Sequence, residues 1–207
     1  MSKIDTHLLV TYHNTSMSKS DLTRHKIFEG AIECIAKNGF EQSSFTEIAK
    51  KTKVNRTLVT YYFGTKKKLI QELVKYAIRS GQIFTQQYLS KNSSSADLIE
   101  QYINATFQWY EDYPLHAYFL LLSFQRSYYD KDVQNIVAEM IEMARYRIQE
   151  MIKKYYPANP DLTALWADQL HSALLGFLLT NFAYFKKDTQ EYKKQCVSLA
   201  KKIMKEN

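Results

Sequence analysis

The chain has 207 residues, 45% of them hydrophobic and 24% charged, the profile of a soluble globular protein with one or two compact domains. Only five glycines and three prolines interrupt it, and long apolar periodicities between them point to an all-α fold and exclude a turn-rich sandwich or barrel. The formal net charge is +7, and the two cysteines, Cys34 and Cys196, have neither metal-ligand spacing nor the density of a disulfide scaffold.

The charge is unevenly placed. Residues 20–70 hold ten Lys/Arg against five Asp/Glu, so most of the excess falls in one quarter of the chain, as expected of a polyanion-binding head. The opening MSKIDTHLLV carries no secretory signature, and a cytoplasmic location is expected. Residues 1–19 are polar and are read as a tail.

From Asp21 a helix is expected, with Ile27, Phe28, Ala31, Ile32, Ile35 and Ala36 on one face. Asn38-Gly39 supplies its left-handed stop. Ser44 and Glu47 have capping-box spacing and start a second helix, which ends near Lys51–Lys53. Asn55 caps a third, short helix that turns Leu58 and Val59 inward and closes at Tyr62-Phe63-Gly64. Thr65 then caps a longer fourth helix. Two short helices joined by a tight turn and buttressed on both sides make a helix-turn-helix.

Further helices are expected over 96–112, 115–129, 131–156 and 161–185, with a last one from about 189, giving about nine in all. The apolar stretch from Ala173 to Phe185 is interrupted by Thr180 and Asn181 and reads as too short for a membrane span. A division follows into a tail (1–19), a helix-turn-helix domain (20–66) and a helical ligand-binding and dimerisation domain (67–207).

The run from Gly39 to Leu73 resembles the signature of TetR family regulators. Its elements here are Gly39-Phe40, Ser43-Ser44, Ile48-Ala49, Val54, Tyr62-Phe63, Thr65-Lys66 and Leu69. The sequence departs from that pattern twice: Thr52-Lys53 stand where glycine often makes the turn, and Thr60 stands where a tyrosine is usual. The resemblance implies a DNA-binding transcriptional regulator, acting as a dimeric, ligand-responsive repressor on a palindromic operator. It also implies that Lys66 grips a phosphate.

Outside its Val54, Leu58, Val59 face, the third helix offers Asn55, Arg56, Thr57, Thr60 and Tyr61. Arg56 suits guanine O6 and N7, and Thr57 a thymine methyl. Tyr61 and Tyr62 suit phosphate oxygens, and Ser43 and Ser44 sit at a helix start that favours a phosphate. The last two helices (about 161–205) are the expected dimer interface. The body is dense in aromatics, and Trp109, Phe119, Trp166, His171 and Asn181 are candidates for a pocket taking a small hydrophobic or aromatic effector.

No GxSxG, HExxH, GxGxxG or P-loop is present, and acids and histidines are scattered, so an enzyme is not expected and nothing calls for a cofactor or a metal. The alternative is a ligand-independent DNA-binding factor, of nucleoid-associated or division type, using the same head. A membrane-surface protein is disfavoured because the basic cluster coincides with the helix-turn-helix and not with an exposed apolar face.

Overall fold

The computed structural model describes residues 18–91, 98–155, 159–184 and 189–204, the side chains of residues 155 and 181–184 excepted. These residues form nine α-helices: α1 (Lys19–Gln42), α2 (Phe45–Thr52), α3 (Arg56–Phe63), α4 (Lys66–Lys91), α5 (Leu98–Asp112), α6 (Pro114–Ser127), α7 (Lys131–Tyr155), α8 (Pro160–Tyr184) and α9 (Thr189–Ile203). The architecture is all-α, as the periodicities require. Packing divides it into two compact units: the chain up to Ile83 with Leu115–Ile136, and Phe84–Pro114 with the chain from Val137 onward. These units do not coincide with the 20–66 and 67–207 ranges, because most of α4 and all of α6 after Pro114 pack with the head. Of the expected tail, residues 1–17 lie outside the described residues, while Ser18 and Lys19 belong to the start of α1.

In the first unit, α1 begins with a reciprocal capping box. Ser18 Oγ accepts from the Asp21 amide, and the Asp21 carboxylate accepts from the Ser18 amide. The box expected at Ser44/Glu47 is only half formed: Ser44 Oγ accepts from the Glu47 amide at 3.2 Å, but the Ser44 amide donates to Gln42 O. Gly39 breaks the end of α1 at φ 78°, a conformation for which the absence of a Cβ is needed. Ile27, Ala31, Ile32 and Ile35 are at most 1% exposed, so the predicted apolar face is the buried one.

Gly30, in the middle of α1, has a specific reason to be glycine. A Cβ there would lie 2.1 Å from Cγ2 of Thr52, the last residue of α2. Thr52 is itself buried and its hydroxyl donates to Ile48 O at 2.8 Å, so its methyl cannot swing away without losing that bond.

Two further sets of contacts fix the helices around the head. Phe28 of α1 packs on Phe63 of α3 and Tyr76 of α4, with ring centroids 5.3 and 4.7 Å apart. Arg24 lies over Phe28 and Phe63 and pairs with Glu72 at 2.8 Å. Beside them, Tyr76 donates its hydroxyl to Glu29 Oε1 and lies 2.7 Å from His25 Nδ1. His116 Nε2, from the first turn of α6, reaches the same Glu29 oxygen at 3.1 Å. Burial acts to raise the Glu29 pKa, but hydrogen bonds from His116 and Tyr76 carry it below the ordinary carboxyl range. At its other end α6 is held by Arg126, over the Phe40 ring and paired with Glu41 and Asp130, and Asp132 just beyond it pairs with Lys67 and accepts from Gln71.

In the second unit, α5, α7, α8 and α9 close on one core that includes Ile103, Phe107, Ile148, Trp166, Leu170 and Cys196. Pro114 and Pro160 open α6 and α8, the first-turn position where the missing N–H goes unneeded. One expectation is corrected here. Pro160–Thr180 does meet the length and composition of a membrane span, with a mean hydropathy of 1.2. In this fold α8 is a packing helix: Trp166, Ala167, Leu170 and Leu174 are at most 5% exposed, and Asp168 stands 3.1 Å from Arg145 Nε. On α9, Leu199 and Ile203 are half-buried, and Ala200 and Met204 take the inward positions.

The Gly30–Thr52 contact predicts an inverted helix propensity. Gly30→Ala gains about 1 kcal/mol of intrinsic helicity, yet the methyl clash outweighs it, for a net loss of about 1–3 kcal/mol. Thr52→Ser, which removes Cγ2 and keeps the hydroxyl bond, recovers most of that loss in the Gly30→Ala background. Urea unfolding of the two single variants and the double variant checks this; additive losses would contradict it.

Candidate nucleic-acid interface

The turn between α2 and α3 is made without glycine. Lys53 adopts the left-handed region (φ 52°, ψ 38°), at a cost of about 1–2 kcal/mol for a residue with a Cβ. Two bonds hold it there: the Lys53 amide donates to Lys50 O and the Val54 amide to Ala49 O, the reciprocal pair of a Schellman stop. Asn55 then caps α3, its Oδ1 accepting from the Thr57 amide at 2.8 Å.

These two caps orient α3. Val59 and Phe63 are at most 1% exposed, so Arg56, Thr57, Thr60 and Tyr61, one and four residues apart, all face solvent. Tyr61 is 80% exposed, its ring meeting only the edge-to-face neighbour Tyr62 at 5.6 Å among the described residues. Thr60 donates to Arg56 O, leaving its methyl and a hydroxyl lone pair outward. Tyr62 is half-buried: its ring lies beside Phe63 and its hydroxyl is 3.1 Å from Ser20 Oγ on α1. Tyr62 is thus already engaged in linking α3 to α1.

The serines divide. Ser44 is exposed at the N-terminus of α2 and caps it. Ser43 is 1% exposed and donates to Gly39 O at 2.8 Å. Its hydroxyl belongs to the fold and does not face a ligand, a correction to the expectation drawn from its position at a helix start. Lys66 Nζ donates to Glu41 O at 3.0 Å, which places the ammonium beside the α1–α2 connection, near the Ser44 end of α2.

The electrostatics favour an anion. Lys37 and Lys51 share Glu33, and hydrogen bonds from both, Lys37 foremost, hold its carboxyl below the usual range. Lys50, Lys53 and Arg56, which flank the turn and open α3, have no acidic partner among the described residues. A positive edge thus borders the exposed face of α3.

The five pocket candidates do not form one group. Phe119 is fully buried in the first unit, 5.9 Å from the Phe40 ring, and serves to hold α6 on the end of α1; its assignment to a body pocket is corrected. Trp166 is a core residue of the second unit. The side chain of Asn181 lies outside the described residues. Trp109 and His171 belong to the second unit and are 8% and 7% exposed.

The first unit therefore has the geometry of a helix-turn-helix DNA-binding domain, and comparisons with known proteins agree. Residues 27–73 match the model of the bacterial regulatory proteins of the tetR family. A TetR transcriptional regulator from Legionella pneumophila superposes with a TM-score of 0.69 at 20% identity, covering 92% of this chain and 100% of that one. A transcriptional regulator from Rhodococcus sp. Rha1 gives 0.70 at 13% identity, covering 90% and 96%. The multidrug binding protein EbrR, in complex with imidazole, gives 0.62 at 17% identity, covering 85% and 93%. At these identities the structural likenesses show the fold. No curated protein sequence matches. The chain is a DNA-binding transcriptional regulator. Its DNA-binding head, residues 27–73, is of the tetR family type.

Burial depresses the His171 pKa to about 4, and the nearby Arg145 adds to the shift. Its ordinary value is 6.5, so the unfolded chain takes up the proton first. The stability that neutral His171 provides is whole above pH 6.5 and is lost as pH falls from 6.5 towards 4, by at most about 3 kcal/mol. His171→Gln is expected to flatten the fall in unfolding free energy over that interval. Denaturant titrations at pH 7, 5.5 and 4.5 check this, and an unchanged slope contradicts it.

Proposed function

We propose that the chain is a ligand-responsive repressor that binds a palindromic operator as a homodimer, in the cytoplasm. The observation that carries the DNA-binding part is the face of α3. Arg56, Thr57, Thr60 and Tyr61 are solvent-facing together, on a helix whose opposite side is locked by Val59 and Phe63. In this reading α3 enters the major groove. Arg56 reads a guanine edge, Thr57 and Thr60 offer methyls and hydroxyls to neighbouring bases, and Tyr61 reaches a phosphate. Ser44 and the N-terminus of α2 take a second phosphate with Lys66 beside them, and Asn55 keeps its cap while lining the entry. Tyr62 and Ser43 act from behind, Tyr62 through Ser20 and Ser43 through Gly39.

The homodimer is supported by α8. Leu165 and Leu179 are 50% and 52% exposed, and Ser172 and Gly176 are exposed between them. These four positions fall on one helical stripe. Gly176 costs a helix interior about 1 kcal/mol against alanine. A Cβ there would meet nothing within 4 Å, which leaves room for a close approach by a second copy. Two copies meeting through α8 and α9 would present two heads to successive half-sites. Ligand response is supported by the aromatic body, and the related fold of EbrR holds imidazole.

The division of labour between Arg56 and Lys66 is testable. Arg56→Ala is expected to cost about 1–3 kcal/mol on the preferred operator and to relax discrimination at one base pair per half-site. Lys66→Ala is expected to weaken all sequences evenly and to lower the slope of log K against log salt by about one per head. Binding isotherms over a salt series on matched and singly substituted operators check both. A uniform loss for Arg56→Ala, or a sequence-selective one for Lys66→Ala, would reverse the assignments.

A further inference from the structure

Two buried side-chain nitrogens among the described residues lack a hydrogen bond, Arg145 Nε and Trp109 Nε1. Arg145 Nε stands 3.1 Å from the Asp168 carboxylate and is served by that charge. Trp109 has no such compensation. Its residue is 8% exposed and its indole N–H has no acceptor, a costly condition for a buried donor.

The surroundings of Trp109 are aromatic. Within the second unit, Trp109 stacks with Tyr113 one turn on, with centroids 6.5 Å apart and planes at 27°. Tyr113 meets Phe84 edge to face at 5.9 Å, and Phe84 stacks with Tyr88 at 6.4 Å. Tyr88, Phe84 and Tyr113 are half-buried. The four rings make a continuous row from partly exposed surface to the orphan donor.

We propose that this row is the effector subsite and that it takes a neutral, flat aromatic molecule bearing one acceptor oxygen, such as an aryl carbonyl. The rings supply the stacking area, and the Trp109 indole donates to the oxygen. An anionic ligand is disfavoured because ring faces carry negative potential, and a simple quaternary ammonium cannot accept from the indole N–H. This inference deepens the ligand-responsive reading given above and rests on it.

The test uses the full-length dimer or monomer as purified, labelled with ¹⁵N, whose two tryptophans give two indole N–H resonances; Trp109→Phe assigns them. Acetophenone is compared with ethylbenzene, a near-isostere without the oxygen, and with benzyltrimethylammonium. Acetophenone is expected to move the Trp109 indole proton downfield in a saturable manner and to bind about fivefold more tightly than ethylbenzene, the worth of one neutral hydrogen bond. Trp109→Phe is expected to abolish that preference. Equal affinities of acetophenone and ethylbenzene for the unsubstituted protein would overturn the inference, as would tighter binding of the ammonium probe or a response confined to the Trp166 resonance. The comparison on the unsubstituted protein stands even where Trp109→Phe fails to fold. Operator release is measured in parallel. Saturable binding at Trp109 without release supports the subsite and removes ligand responsiveness, whereas release by acetophenone with Trp109 silent removes the subsite alone.

Discussion

The structure of the head depends on one close approach. α2 ends against the middle of α1, where Gly30 leaves room for the Thr52 methyl. Because Thr52 is buried and its hydroxyl is bonded within α2, that methyl acts as a fixed stop. The left-handed turn at Lys53 follows at once, and the Asn55 cap starts α3 two residues later. The direction of the recognition face is therefore set by three consecutive local devices, each referred to the wall of α1. A side chain at position 30 would move all of them together.

The second requirement is that the stop, turn and cap keep their place relative to the rest of the unit. Phe63 closes α3 on Phe28, while Arg24 and Tyr76 tie α1 to α4. Glu29 gathers donors from two other helices, Tyr76 on α4 and His116 on α6. A half-buried carboxylate accepting two hydrogen bonds is favourable only while every partner stays in line. The head is thus held where it is oriented, and the exposed side chains of Arg56, Thr57, Thr60 and Tyr61 carry little structural duty beyond the Thr60 back-bond and the edge contact of Tyr61 with Tyr62. Rigid support behind an unencumbered polar surface is what reading base edges demands.

Much of the head was legible in the sequence because its signals are local. Asn38-Gly39, Ser44, Asn55 and Thr65 mark helix ends by their own backbone chemistry, and Val59 and Phe63 follow from helical period. What was not legible depends on pairs distant in the chain. Ser43 looks like an exposed helix-start residue until the Gly39 carbonyl is seen beneath it. Phe119 looks like a body aromatic until α6 is seen to pack on Phe40. Gly30 carried a readable signal, a glycine inside an otherwise strong helix, but its partner Thr52 was not readable. The Glu29 network joins residues 25, 29, 76 and 116, a combination no spacing rule selects. Beyond the head the helix count and the α5 to α9 boundaries followed from period and proline. The orphan donor on Trp109 emerges only from the packing.

The central claim is that α3 gives sequence-specific recognition to a positively charged head. Selection of bound duplexes from a random pool by the full-length protein, at near-physiological salt, tests it most directly. The account predicts enrichment of one inverted repeat, with half-site centres about one helical turn of DNA apart or a multiple of it, and a guanine whose enrichment vanishes with Arg56→Ala. A pool retained without any enriched motif, and released by salt alone, would contradict it.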